Sequence, residues 1–239
     1  MNRKIDWHYH LSGRNVKLDV IALEDYTLTM DEVYVMASYF PENRSGLSNY
    51  NLYYHLKDIE KTKLYLSLDF EHYFYQGYNE MVSILEESPD KIIGIKIYTG
   101  YQDINLLMDM NDKFSEELEM VLELAKKYNL YIMFHTGYLK GNKEMFNPKD
   151  IEDIVRENSD IKFIFAHMSN PFDLELIQML NRYDNLYTDI SGLVDRKKEI
   201  SETKKYVKKI YDNVEDKEKF LFGTDYPMQD YETTLNFVF

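Results

Sequence analysis

The chain has no cysteine among its 239 residues. A disulfide framework, a thiolate nucleophile and a cysteine-based zinc site are therefore excluded. Any metal that the protein binds must be held by histidine and carboxylate side chains. Histidine is itself scarce, with six residues in the chain, so each of them can be assessed individually.

A long apolar run and a net positive charge are also lacking. The first residues, MNRKIDWHYHL, predict neither a signal peptide nor a membrane span, and we expect a cytoplasmic protein without a membrane partner. The formal net charge of −14 argues against a nucleic-acid partner, because binding to phosphates requires a basic face. We expect a small-molecule substrate as the partner, and assembly into a homo-oligomer is compatible with the sequence.

The chain does contain enough apolar surface for a core. The hydrophobic fraction of 44% and the aromatic fraction of 15% exclude a disordered chain. The length suits one domain over residues 1–239, close to the size of a single α/β barrel.

Short apolar, β-rich runs alternate with helical segments along the chain, which is the pattern of repeated βα units. Several runs, such as IIGIKIY and KFIFAH, are almost continuously apolar, as expected of strands covered on both faces. Eight units of roughly 30 residues predict a single (β/α)8 TIM barrel rather than an open doubly wound sheet. The predicted strands are Lys4–His10, Glu32–Ala37, Lys63–Asp69, Ile92–Tyr98, Leu130–His135, Ile161–His167, Asn185–Ile190 and Phe220–Asp225.

The helices between these strands are less uniform. In two places an asparagine, Asn147 or Asn170, precedes a proline at the first helical position, where its side chain can cap free backbone N–H groups. The first helix, within Asp19–Met30, is predicted to be short. The clearest predicted helices are Lys113–Tyr128, Pro148–Glu157, Pro171–Arg182 and Glu199–Tyr211.

Two histidines lie two residues apart on the first predicted strand. His8 and His10 project from the same face because side chains alternate along a strand. If that face is the barrel interior, both imidazoles lie near the carboxyl end of the strand, where barrel active sites are found. A His-x-His pair alone is weak evidence, since two incidental histidines on an exposed strand give the same pattern.

Other strands end in the same way. His135 and His167 close the fifth and sixth predicted strands, Asp225 closes the eighth, and Lys96 lies near the end of the fourth. Each of these has an ordinary alternative: a histidine on an apolar strand is usually a satisfied core residue, and Asp225 fits a turn facing solvent. Together they place metal-competent or acid–base residues at one end of five barrel strands, which predicts an active site there.

The stretches IDWHYH, GIKIYTG, LYIMFHTG, FIFAHMSNP, NLYTDISG and FLFGTDYP occur in this order, nearly from end to end. They resemble the amidohydrolase-related family, which includes metal-dependent hydrolases and decarboxylases of the aminocarboxymuconate-semialdehyde and resorcylate types. The resemblance implies that His167 acts in proton transfer or behind the ligands, and that Lys96 occupies a position carbamylated in some relatives. It also implies a divalent ion bound by His8, His10, His135 and Asp225.

Three imidazoles and a carboxylate suit Zn²⁺ first, with Mn²⁺ or another transition ion as alternatives. Such an ion activates water at neutral pH, and Asp225 would serve as ligand and as acceptor of the water proton. An unmodified Lys96 is expensive to bury unless it is paired, whereas a carbamylated lysine would bridge two metals. We expect one metal and an unmodified lysine.

Substrate contacts are harder to identify. Arg44, after the second strand, is a candidate clamp for a substrate carboxylate, although a solvated loop arginine fits as well. We expect His72, after the third strand, at the surface. The remaining candidates follow strands four, six and seven, and they are Tyr98, Tyr101, Ser169, Asn170 and Ser191.

The function predicted is hydrolysis of a small polar amide, lactone or ester by metal-activated water. Non-oxidative decarboxylation of a small carboxylated substrate is the alternative, because both reactions use the same ligands. A non-catalytic barrel that serves as a binding scaffold is the third interpretation, and it predicts erosion of the ligand set.

Overall fold

The structure, a computed structural model, describes residues 3–38, 47–99, 101–102, 112–138, 145–193, 200–229 and 232–234. Eight parallel strands form a nearly closed barrel in the order of the chain, each paired with the next. The predicted (β/α)8 barrel and its eight strands are confirmed. The strands are β1 (Ile5–His10), β2 (Glu32–Met36), β3 (Thr62–Ser67), β4 (Ile92–Ile97), β5 (Tyr131–Phe134), β6 (Lys162–Phe165), β7 (Leu186–Asp189) and β8 (Phe220–Leu221).

Helices alternate with these strands along the part of the chain that the structure describes. None of the described helices is long and apolar enough to cross a membrane. Short 3₁₀ turns also occur, at Pro89–Lys91, Pro148–Ile151, Ala166–Ser169 and Lys217–Lys219. The described α-helices are α1 (Val16–Thr27), α2 (Asn49–Leu56), α3 (Phe74–Glu87), α4 (Asp112–Tyr128), α5 (Glu152–Glu157), α6 (Asp173–Arg182) and α7 (Ile200–Asn213).

The capping predictions had different outcomes. The Asn147 side chain accepts the N–H of Lys149, as predicted, although the turn that it caps is 3₁₀ rather than α-helical. The prediction for Asn170 was wrong, because α6 begins only at Asp173 and no side chain caps it. Residues 167–169 turn through left-handed backbone angles after β6 and delay the start of the helix.

The first helix was also mispredicted. It is 12 residues long, from Val16 to Thr27, and the side chain of Asn15 accepts the N–H of Leu18 at its start. Its apolar residues do not form a regular stripe, since Leu23 is buried whereas Leu18 and Ile21 are exposed. The periodicity that predicts a helix from sequence is therefore weak in this segment.

Apolar side chains form two layers. Along β3, Leu64 and Leu66 belong to the layer between strands and helices, whereas Tyr65 belongs to the barrel interior. The interior contains several aromatic rings, and that of Trp7 lies 4.7 Å from that of Tyr34 and packs edge-on. This aromatic filling leaves polar chemistry to the carboxyl end of the barrel.

The seam between β1 and the segment after β8 closes the barrel. The N–H of Trp7 donates to the carbonyl of Phe222 over 2.9 Å, and the N–H of Asp225 donates to the carbonyl of His8 over 2.7 Å. The buried Asp6 carboxylate reinforces the seam, since it accepts from the N–H and the hydroxyl of Thr224. These bonds place His8 and Asp225 beside each other although the chain separates them widely.

At the amino end of the barrel, polar side chains tie successive helix-to-strand connections together. Lys219, just before β8, donates to the carbonyls of Leu180 and Tyr183 over 2.6 and 2.8 Å. The same device recurs before three other strands, so that each connection is bonded to the preceding one. The residues that provide it there are Lys61 before β3, Lys91 before β4 and Asn185 before β7.

Candidate active site

Three predicted side chains meet at the carboxyl end of the barrel. The Nε2 atoms of His8 and His10 lie 3.2 Å apart, and each lies 3.5 Å from Oδ1 of Asp225. Two atoms that bind one ion at about 2.1 Å are at most about 4.2 Å apart, so this spacing fits a common ion. The three atoms form one of the potential metal-binding groups among the described residues, and we call them the barrel cluster.

The protonation of His8 is set by a residue that the sequence analysis missed. Asp189, at the end of β7, accepts the Nδ1–H of His8 over 2.7 Å, so that the Nε2 lone pair of His8 faces the barrel cluster. Asp189 also accepts the N–H of His167 over 2.9 Å and the hydroxyl of Ser191. Its place at the end of a strand, in NLYTDISG, matches that of Asp225 and was the available signal.

Burial determines the charge state of these groups. Loss of solvent lowers the pKa of His8 to about 4 and that of His10 well below its usual value. Burial alone would raise the pKa of Asp189, but the neighbouring His8 outweighs it and holds that pKa below the usual range. At neutral pH the imidazoles are uncharged and Asp189 is ionised, which is the state that metal ligands and their partners require.

His135 stands beside the barrel cluster rather than in it. Its Nε2–H donates to the carbonyl of Tyr138 over 3.2 Å, and its ring lies 4.8 Å from that of His167. Burial lowers the pKa of His135, so its imidazole is neutral. The structure thus brings three of the four predicted ligands together. It places the fourth, His135, against His167 and outside the barrel cluster.

His167 follows β6 in a left-handed conformation, with φ of 59°. Its Nδ1 lies 3.1 Å from the carbonyl of Ser191 and 3.0 Å from the Ser191 hydroxyl. Gly192 makes room for this arrangement, since a Cβ there would come within 2.8 Å of both His167 Nδ1 and Asp225 Oδ2. The φ of Gly192, +64°, also suits glycine. Burial lowers the pKa of His167 to about 3.

Lys96 is the least satisfied residue of the site. Its side chain is fully buried, and its Nζ has no hydrogen-bond partner among the residues that the structure describes. The Nζ lies 5.6 Å from the ring of Tyr98. Burial lowers the pKa of Lys96, whereas the charges of Asp189 and Asp225 oppose that shift. Burial raises the pKa of Asp225, and Lys96 opposes it.

The predicted substrate contacts differ in their surroundings. The Tyr98 hydroxyl donates to the carbonyl of Ala37 over 2.8 Å, and the Ser169 hydroxyl bonds to that of Thr136. Tyr101 lies against His135, with ring centroids 5.0 Å apart. Asn170 is half-buried after β6, and Arg44 lies outside the described residues.

The whole fold is similar to several solved structures. The chain is similar to an amidohydrolase from Burkholderia multivorans with bound zinc (11% identity, TM-score 0.68, 99% of this chain and 90% of that one). It is also similar to an uncharacterised TIM-barrel protein from Bordetella bronchiseptica (16% identity, TM-score 0.69, 99% and 91%). A dihydroorotase from Campylobacter jejuni is a further relative in structure (19% identity, TM-score 0.57, 93% and 68%). At these identities the likeness shows the fold.

The evidence for the family of this chain comes from its amino-acid sequence. No curated protein matches the chain. A family model described as amidohydrolase matches residues 81–238, well over half of the chain. Zinc accompanies one of the similar structures, and the barrel cluster offers a donor set that suits such an ion. The chain therefore belongs to the amidohydrolase family, whose members are metal-dependent enzymes of hydrolase type.

Proposed function

We propose that this protein hydrolyses a small polar amide, lactone or ester with water activated by one divalent ion. The observation that carries the proposal is the barrel cluster, in which two neutral imidazole nitrogens and a carboxylate oxygen lie 3.2 to 3.5 Å apart. His8 Nε2, His10 Nε2 and Asp225 Oδ1 would hold the ion, and His135 would complete the set. Zn²⁺ is the ion that this donor set suits best.

An ion at this position would supply Lewis-acid chemistry, lowering the pKa of water from about 15.7 to about 7. The chain supplies the proton acceptors and donors. Asp225 presents its second oxygen, Oδ2, towards the position of Gly192, and this oxygen would accept the proton of the attacking water. His167 would return a proton to the leaving group or stabilise its developing negative charge. Asp189 keeps the proton of His8 on Nδ1 throughout.

One observation favours a second candidate, decarboxylation of a small carboxylated substrate. Lys96 is a buried cation without a hydrogen-bond partner among the described residues, and a substrate carboxylate would provide one. The barrel cluster is common to both reactions. Release of carbon dioxide, measured against release of an acid without gas, distinguishes decarboxylation from hydrolysis when candidate substrates are screened.

Elemental analysis tests the premise of both reactions. Protein prepared without a histidine tag and without added metal should contain at least one equivalent of a divalent transition ion. His8→Ala and His10→Ala should each lose an equivalent, whereas His55→Ala, which removes an exposed histidine on α2, should not. Metal content that is equal in all four proteins would exclude the barrel cluster as the metal site.

The number of ions at the site is a separate question. We propose one ion there and an unmodified Lys96, because the three donor atoms of the barrel cluster lie close enough together to share a single ion. A carbamylated Lys96 would add the mass of one carbon dioxide and bridge two ions about 3.5–4 Å apart. A crystal structure with such a bridged pair would contradict this proposal without affecting the barrel cluster.

A further inference from the structure

A second group of potential ligands follows β3, outside the barrel cluster. Asp69, Glu71 and His72 belong to one short segment, DFEH, and three of their donor atoms lie within 4.8 Å of one another. His72 Nδ1 is 3.7 Å from Asp69 Oδ2 and 3.9 Å from Glu71 Oε2. We call this group the rim cluster, because it lies at the carboxyl end of β3. As expected from the sequence, His72 is largely exposed.

The Asp69 carboxylate is buried and only half satisfied. Its Oδ1 accepts the N–H groups of Glu71 and His72 over 2.9 and 3.2 Å, which fixes the orientation of the carboxylate. The side chain of Asp69 is 0% exposed. Its Oδ2 therefore cannot bond to solvent, and it has no hydrogen-bond partner in the described part of the chain. A buried carboxylate oxygen without a donor is unfavourable, so Oδ2 points to a ligand that the protein itself does not provide.

The backbone next to the rim cluster is fixed by residues that do not belong to the cluster. The N–H of Phe70 donates to Oε1 of Gln102 over 3.0 Å, and Nε2 of Gln102 donates to the carbonyl of Leu68 over 2.8 Å. The ring of Phe70 packs against those of Phe74 and Phe114. The backbone that carries the rim cluster is therefore prepared before any ligand arrives, which reduces the entropy lost on binding.

We propose that the rim cluster binds a second divalent cation, such as Zn²⁺, through Asp69 Oδ2, Glu71 Oε2 and His72 Nδ1. Atoms that share an ion at about 2.1 Å are at most about 4.2 Å apart, and the two distances from His72 are shorter than this limit. The 3.7 Å between His72 Nδ1 and Asp69 Oδ2 is within the range of an ion pair but longer than a hydrogen bond, so the two side chains are not hydrogen-bonded to each other. Since His72 is 57% exposed, water would occupy the remaining positions and binding would be weaker than in the barrel.

The test measures Zn²⁺ binding by equilibrium dialysis of tag-free protein, with metal quantified by mass spectrometry. In His8→Ala, which removes a barrel ligand, one weaker equivalent should remain. Asp69→Asn keeps the Oδ1 acceptor of the turn and replaces only the free oxygen, whereas His72→Ala removes an exposed side chain. Each of these variants should weaken the rim equivalent at least about tenfold, and His55→Ala should leave it unchanged.

The outcomes separate this proposal from the proposed function. If the barrel binds no metal, the wild-type protein shows one equivalent, and His72→Ala must still weaken it. If Asp69→Asn or His72→Ala binds as much Zn²⁺ as the wild type at every concentration, the rim site does not exist. If His55→Ala lowers binding as much as His72→Ala, the ion binds surface histidines in general, which also overturns the proposal. His72→Ala keeps the test decisive should Asp69→Asn fail to fold.

Discussion

The two ends of this barrel differ in whether their lysine side chains have hydrogen-bond partners. At the amino end, Lys219 is buried among carbonyls and donates two hydrogen bonds. The exposed Lys61 and the half-buried Lys91 also donate two hydrogen bonds each. At the carboxyl end, Lys96 is fully buried and its amine has no hydrogen-bond partner within the described ranges. The backbone differs too, since His167, Met168, Ser169 and Asp225 adopt positive φ at the carboxyl end, whereas Asn129 alone does so at the amino end among the described non-glycine residues.

This difference separates stability from function. A paired cation at the amino end contributes intramolecular hydrogen bonds, which replace bonds to water in the unfolded chain with a small net gain in stability. An unpaired cation and left-handed residues at the carboxyl end destabilise the folded protein, and such features persist where a ligand or a reaction uses them. We therefore expect substitutions at the amino end to lower stability and leave activity unchanged. Substitutions at the carboxyl end should lower activity, and some of them should raise stability.

The largest effect is expected at His167, whose ring lies 4.9 Å from that of His8 but which is not one of the three side chains of the barrel cluster. His167→Asn should lower kcat by about 10²–10⁴-fold, the range of general acid–base catalysis, and should leave the metal content nearly intact. His135→Asn should lose metal and activity together. Assays on the substrate found by screening, combined with elemental analysis, make the comparison. Loss of metal from His167→Asn equal to that from His135→Asn would make His167 a ligand.

Asp189 should have a smaller effect, through His8. Asp189→Asn removes the acceptor that fixes the proton of His8 on Nδ1, so we expect metal affinity to fall by about 10–100-fold, as for other partners of metal-bound histidines. Competition with a chelator of known affinity measures this. Asp184→Asn, an exposed change shortly before the same strand, is the control. Unchanged affinity in both variants would show that Asp189 does not position His8.

A substitution of Lys96 tests directly whether the two ends of the barrel differ in this way. Lys96→Met keeps most of the side-chain volume and removes a buried charge, so the free energy of unfolding should rise by about 1–4 kcal/mol, or about 2–4 °C in Tm for each kcal/mol. Activity should fall because the site loses its cation. Thermal unfolding and the substrate assay measure the two effects. A lower Tm would mean that the folded protein pairs this lysine.

Lys219→Met should give the reverse balance. Its two hydrogen bonds join the end of α6 to the start of β8, and their loss should lower the free energy of unfolding by about 1–3 kcal/mol. Metal content and kcat of the folded enzyme should stay at the wild-type level, because Lys219 lies at the opposite end from the barrel cluster. Lys204→Met, an exposed change on α7, controls for the loss of charge. Equal Tm values for the two variants would show that these hydrogen bonds contribute nothing.

The sequence predicted all eight strands because its evidence is local. A buried strand such as IIGIKI is apolar in every position but one, and Pro, Gly or charged residues mark its limits. His8, His10 and Asp225 were candidates because each lies at or near the end of a predicted strand, and the family resemblance implied that they are ligands. The first helix was mispredicted because its apolar residues do not follow the helical period.

The role of Asp189 was hidden because it depends on a partner 181 residues away in the chain. His135 shows the converse, since resemblance placed it among the ligands and the structure directs its Nε2 to the carbonyl of Tyr138. The start of α6 depends on the left-handed turn at His167, which no local pattern announces.

The sequence by itself determined the βα order, the absence of thiol chemistry and the strand ends that carry imidazoles and carboxylates. Periodicity and composition encode these features within a few residues, so they can be read without the fold. Only the tertiary structure decided which of those groups meet, which nitrogen of His8 faces the barrel cluster and which buried lysines are paired. These depend on the closure of β8 onto β1 and on side chains from distant strands, because hydrogen bonds act over about 3 Å and not along the chain.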